Sequence, residues 1–179
     1  MTDLARLAAQ LSDEGDDAPL PVEKWHPEHC GEMDMVIRAD GSWWHEGTRI
    51  TRAPLVRLFS RVLRKDNDGH VLVTPAEKIS ITVEDAPFLA VDFDRDETGY
   101  TFRTNVGDRV LIDGDHPITL KESPAIGQSA PYILVRGGLE ARLDRPAYYR
   151  LAAELPEEDG ALVLRSAGAE YRLPVTEGA

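Results

Sequence analysis

The strongest constraint on the fold is an order of short periodic segments that occurs twice along the chain. Residues 33–38 alternate Met33, Met35 and Ile37 as a half-buried strand does. Asp40-Gly41 is a hairpin signal, because glycine tolerates positive φ, and residues 43–50 are the predicted return strand. Residues 53–65 then place Leu55, Leu58, Phe59, Val62 and Leu63 on one helical face, with Pro54 suited to the first turn. Arg57, Arg61 and Arg64 recur on the opposite side of that predicted helix. Asp66-Asn67-Asp68-Gly69 supplies turn chemistry to end it. Residues 71–73 and 79–83 read as strands around Thr74-Pro75. The second half has the same order. Residues 132–135 and 139–143 flank Gly137-Gly138, a helix over 144–155 is capped by Asp144, and strands over 161–165 and 170–175 follow.

This pattern predicts an α+β fold of two small repeat-related lobes, each a β-hairpin–helix–β-hairpin, with strands outnumbering helices. Residues 88–94, 100–104 and 109–112 are further strand candidates between the two. Residues 1–32 read as an N-terminal helix and an acidic linker, 33–99 as the first lobe and 100–179 as the second. Leu4, Leu7, Ala8 and Leu11 give the terminal helix one apolar face, Thr2 or Asp3 could cap it, and residues 12–21 form the linker. Neither a βαβ series nor a Gly-rich phosphate loop occurs, which argues against nucleotide-binding α/β folds.

Charge narrows the partners. The chain has 179 residues and a formal net charge of −12. Residues 1–48 hold 11 acids against 3 bases, whereas residues 49–65 hold six bases and no acid. Whole-chain acidity argues against nucleic acid, whose backbone is gripped by Lys and Arg. The single basic island either pairs with its acidic neighbours or receives an anion. One cysteine excludes an intrachain disulfide and a Cys-rich zinc module. No apolar run is long enough to span a membrane and the first residues lack a signal peptide's centre, so a cytoplasmic protein with no membrane partner is expected. A homo-oligomer is compatible with these features.

The most unusual stretch is Trp43-Trp44-His45-Glu46. On a strand, Trp43 and His45 face one side while Trp44 and Glu46 face the other. One indole can therefore serve the core and the other a pocket for a planar or anionic ligand. His26 and His29 flank Pro27 with no second ligand pair in view, so no metal and no cofactor are expected. Glu84 and Asp85 are adjacent and point apart on a strand end, so they are not themselves an acid/base dyad. No serine or cysteine has the context of an activated nucleophile.

Four motifs together carry a family resemblance: Asp40-Gly41-Ser42-Trp43-Trp44-His45-Glu46-Gly47, Leu55-Val56-Arg57-Leu58-Phe59-Ser60, Leu72-Val73-Thr74-Pro75-Ala76-Glu77-Lys78, and Val83-Glu84-Asp85-Ala86-Pro87-Phe88. The chain resembles an uncharacterised proteobacterial family of the domain-of-unknown-function class. Arg49 departs from the smaller or prolyl residue expected there. The resemblance implies a repeat-built α+β fold and a signalling or ligand-sensing role. Its motif residues that could line a site are Trp43, Trp44, His45, Glu46, Arg52, Arg57, Thr74, Glu77, Lys78, Glu84 and Asp85. The expected function is non-enzymatic: a ligand-binding or regulatory protein whose partner is a small anionic ligand or an acidic protein segment. The alternatives are a protein–protein docking module, and a hydrolase using His45 with Glu46, Glu77 or Glu84.

Overall fold

A computed structural model describes residues 4–11 and 20–175. The expected caps Thr2 and Asp3 and most of the acidic linker lie outside the described residues. The chain divides into two units, Met1–Glu84 and Asp85–Ala179.

In the first unit, helix α1 (Leu4–Leu11) buries Leu7 and Leu11 and packs on α2 (Ala53–Arg61). Strand β1 (His29–Ile37) turns through residues 38–42, where Gly41 has φ +81°, into β2 (Trp43–His45). A second tight turn at Glu46-Gly47, both at positive φ, leads to β3 (Thr48–Arg49). After α2 come β4 (Leu63–Asp66), β5 (Gly69–Val73) and β6 (Lys78–Val83). The sheet order is β3-β2-β1-β6-β5-β4, with β1 and β6 parallel and the other pairs antiparallel. Met35, Ile37, Trp43, Leu63, Leu72 and Ile79 are fully buried and, with Phe59 of α2, form this unit's core.

The helix is shorter than its periodicity predicts. It stops at Arg61, and Val62 leaves helical geometry at φ −105°, ψ 5°. Leu63–Asp66 is instead the first arm of a hairpin, with Leu63 opposite Leu72 and Asp66 opposite Gly69. The Asp-Asn-Asp-Gly turn therefore closes a hairpin rather than a helix, and Arg64 lies on a strand.

The second unit begins with β7 (Phe88–Arg95), β8 (Tyr100–Thr104) and β9 (Arg109–Leu111). It continues through β10 (Ile118–Ser123), β11 (Gln128–Arg136), β12 (Leu139–Leu143) and α3 (Arg145–Glu154). It ends with β13 (Glu157–Glu158), β14 (Ala161–Ser166) and β15 (Ala169–Pro174). One sheet has the order β10-β11-β12-β7-β8-β9 with β12 and β7 parallel, and β13-β14-β15 form a second. The Phe93 ring lies tilted against those of Tyr100 and Phe102 in this core, with centroids 5.8 and 5.2 Å away. Gly99 passes so close to Ser166 that a Cβ there would lie 2.1 Å from its Oγ, and Ser166 Oγ accepts the Tyr100 N–H.

The fold is α+β, two similar units in which strands outnumber helices. Two organisational details differ from the sequence reading. The units divide after Glu84, not after residue 99, because β7 pairs with β8 and β12 and so belongs to the second unit. The hairpin–helix–strands order recurs, but the sheets assemble differently. In the first unit β6 returns beside β1. In the second, β7 already occupies the place beside β12, and the last three strands form their own sheet.

Helix α3 begins as its sequence requires. Asp144 is the N-cap, and its Oδ1 accepts the Ala147 N–H at 2.9 Å. Asp144→Ala should cost about 1 kcal/mol, the usual worth of such a cap. A thermal melt followed by far-UV circular dichroism should show a drop of a few degrees.

Candidate functional site

Period-two geometry separates the paired tryptophans. Trp43 lies opposite Ile37 and His45 opposite Met35, so both face the core side of the sheet, where Trp43 is 1% exposed. Trp44 lies opposite Val36 on the other face and is half-buried. The expectation of one core indole and one surface indole therefore describes the strand.

Trp44 sits in a built environment. The Arg38 guanidinium stacks over its ring at 3.8 Å from the centroid. The indole Nε1–H donates to Ser42 Oγ at 2.8 Å, and the Ser42 hydroxyl donates in turn to Asp40 Oδ1, which also accepts the Ser42 N–H. These bonds from Ser42 hold the Asp40 carboxyl below the usual carboxylate range. Arg49 is the cross-strand partner of Trp44. Glu84 accepts the Ala39 N–H and so fastens the end of the hairpin. Two carboxylates are thus engaged with the turn, while the exposed Arg38 and Arg49 flank a fixed indole.

The other candidate residues lie elsewhere. Glu46 is exposed in the β2–β3 turn, and Arg52 and Arg57 are exposed at the start and on the outer side of α2. Thr74 is a structural turn residue whose Oγ1 accepts the N–H groups of Ala76 and Glu77. Glu77 is buried and accepts from Arg6 of α1 at 2.8 Å. Lys78 pairs with Asp66, which Arg64 also holds and thereby keeps ionised at lower pH than an ordinary carboxyl. Arg64 further donates to the carbonyls of Val22 and Trp25, so this member of the basic island is structural.

Asp85 opens the second unit, where it is buried with residues no motif pointed to. Its Oδ1 accepts the Tyr132 hydroxyl at 2.6 Å, and its Oδ2 lies 2.8 Å from Arg142 Nε. Burial, reinforced by the Asp85 carboxylate, pushes Tyr132 up to about 12. Tyr132 and Arg142 are cross-strand partners on β11 and β12, and Lys121 lies over the Tyr132 ring. This cluster is a charge-paired anchor for the segment that enters β7. Arg38 and the Asp85 partners were not read from sequence. Arg38 was legible, since it shares strand parity with Val36 and lies beside Trp44 across a short turn.

Among the described residues no group of three or more metal-ligating side chains converges, and no helix is long and apolar enough to cross a membrane.

Comparison with known proteins supplies the lineage. Residues 20–86 match the model of the domain of unknown function DUF1285, N-terminal domain, and residues 87–173 match the DUF1285 C-terminal domain. A crystal structure of a DUF1285 family protein from Silicibacter pomeroyi DSS-3 is similar over 96% of both chains, with 42% identity and a TM-score of 0.86. Another, from Shewanella baltica OS155, covers 69% of this chain and 94% of its own, at 29% identity and a TM-score of 0.55. No curated protein matches.

Proposed function

The chain belongs to the DUF1285 family, and from that premise we propose that it is a non-enzymatic, ligand-binding regulatory protein of signal transduction. Its first unit binds a small planar anion on the outer sheet face at Trp44. The observation that carries this reading is the Arg38–Trp44 stack with Arg49 across the strand. An indole fixed by its own N–H bond offers a flat apolar surface at low entropic cost. The Arg38 guanidinium over the ring and Arg49 at the paired position on β3 supply donor groups for a carboxylate or phosphate-like group. The ionised Asp40 carboxylate is attracted to both Arg49 and Arg38, so an incoming anion competes with it for these two guanidinium groups.

The supporting contrast is the fate of the hydrolase alternative. His45 faces the core side of the sheet, whereas Glu46 is exposed in the turn and Glu77 and Glu84 are engaged by Arg6 and by the Ala39 N–H. General acid–base work needs groups that converge on one substrate.

A panel of inorganic and organic anions, screened by intrinsic tryptophan emission and melting temperature, tests the reading. At least one planar anion should shift both. Trp44→Phe should abolish the emission change, and Arg49→Ala should weaken binding by about tenfold, the loss of one charge-assisted contact. If no anion moves either signal, the proposal fails.

A further inference from the structure

We propose that α1 is an exchangeable plug in a helix-docking groove of the first unit, and that the groove's second occupant is an amphipathic helix of a partner protein carrying an arginine. This surface is separate from the Trp44 face and does not depend on it.

Two independent observations carry the inference. The first is how α1 is held. It is eight residues long, and a helix of that length is marginal in water without tertiary contacts. Its anchors include Leu7 and Leu11, one turn apart and both buried, and the ion pair from Arg6 to Glu77. Apolar anchors at Leu4, Leu7 and Leu11, spaced i, i+3 and i+7, match the spacing of helix-in-groove recognition.

The second observation is the acid that receives Arg6. The Glu77 side chain is only 9% exposed, yet one arginine nitrogen reaches it, at Oε2. Its other oxygen, Oε1, is buried and makes no hydrogen bond among the described residues. A buried carboxylate oxygen without a donor is costly, and an arginine presented squarely would fill both oxygens at once. Arg6, itself 56% exposed, meets Oε2 through one nitrogen and leaves Oε1 without a donor among the described residues. The groove is thus better matched to an arginine than the helix now in it achieves. An incoming helix that places its arginine over both oxygens displaces α1 and keeps the leucine contacts. Charge decides the class of occupant: an acidic helix would set a carboxylate against Glu77, and a neutral one would strand it.

The test uses the full chain and a fluorescent helix-stabilised peptide carrying the Leu4–Leu11 sequence, followed by anisotropy. Leu11→Asp puts a charge into the groove contact and should free the site, so the peptide should bind this variant at least tenfold more tightly than the unsubstituted chain. Arg6→Ala, which leaves both leucines in place and guards against misfolding of the first variant, should raise affinity in the same direction. Replacing the arginine of the peptide by alanine, or Glu77→Gln in the chain, should remove at least tenfold of that binding. Equal binding to all chains, or binding indifferent to the peptide's arginine, overturns the proposal. So does dimerisation of the Arg6→Ala chain without peptide, since the occupant is then a second copy.

Discussion

Asp85→Ala should destabilise the second unit by about 3–5 kcal/mol, the usual effect of removing one partner from a buried charge pair. The Asp85 side chain is 6% exposed and that of Arg142 11%, so water does not replace the lost carboxylate. The Tyr132 hydroxyl loses its acceptor in the same step. Tyr132→Phe leaves Asp85 and Arg142 paired and should cost only about 1 kcal/mol, the net worth of one hydrogen bond. Urea denaturation separates the two. All three tryptophans lie in the first unit, so their emission reports that unit while far-UV circular dichroism reports both. The Asp85→Ala loss should appear in the dichroism transition. An unchanged midpoint would mean that Arg142 finds water or another partner, and the cluster would not be an anchor.

Trp43→Ala should cost about 3–5 kcal/mol, as expected for an aromatic ring removed from a packed core. Trp43 is 1% exposed, and its Nε1–H makes no hydrogen bond among the described residues. Trp43→Phe therefore forfeits packing alone and should be much the milder change. Trp44→Ala is predicted to do the opposite of Trp43→Ala: a stability change within about 1 kcal/mol, as for a half-exposed side chain, and loss of the anion response. Equal destabilisation by the two alanines would contradict the assignment of the indoles to opposite faces.

Much of the fold was legible because it is written in local chemistry. The Asp40-Gly41 turn fixes β1 against β2, and strand parity then sends Trp43 inward and Trp44 outward. Asp144 before Pro146 marks the start of α3. What was hidden depends on partners distant in sequence. Residues 63–66 continue the helical spacing of leucine and arginine, and their pairing with β5 overrides that propensity. Residues 85–99 share the acidity of what precedes them, so charge groups them with the first unit. The pairing of β7 with β8 and β12 shows that they belong to the second.

The Asp85 site was hidden for a sharper reason. Counting back from Gly137-Gly138 with Arg136 opposite Leu139 puts Tyr132 opposite Leu143. An irregularity between Leu134 and Arg136 shifts the register by one, so Tyr132 faces Arg142 instead. One inserted residue changes which side chains meet, and nothing in the strand's composition announces it. Among the motif residues, Thr74, Glu77 and Lys78 stand out in sequence because a tight turn and its ion pairs need them, not because they converge with Trp44.

The most direct measurement is an amide NMR titration of the full chain with the anion that binds most tightly in the emission screen. Saturable shifts at Arg38, Ser42, Trp44 and Arg49, with the Trp44 indole resonance moving among them, are expected. Shifts confined to the second unit, or a Trp44 indole resonance that stays fixed at saturation, would contradict a ligand site on that face.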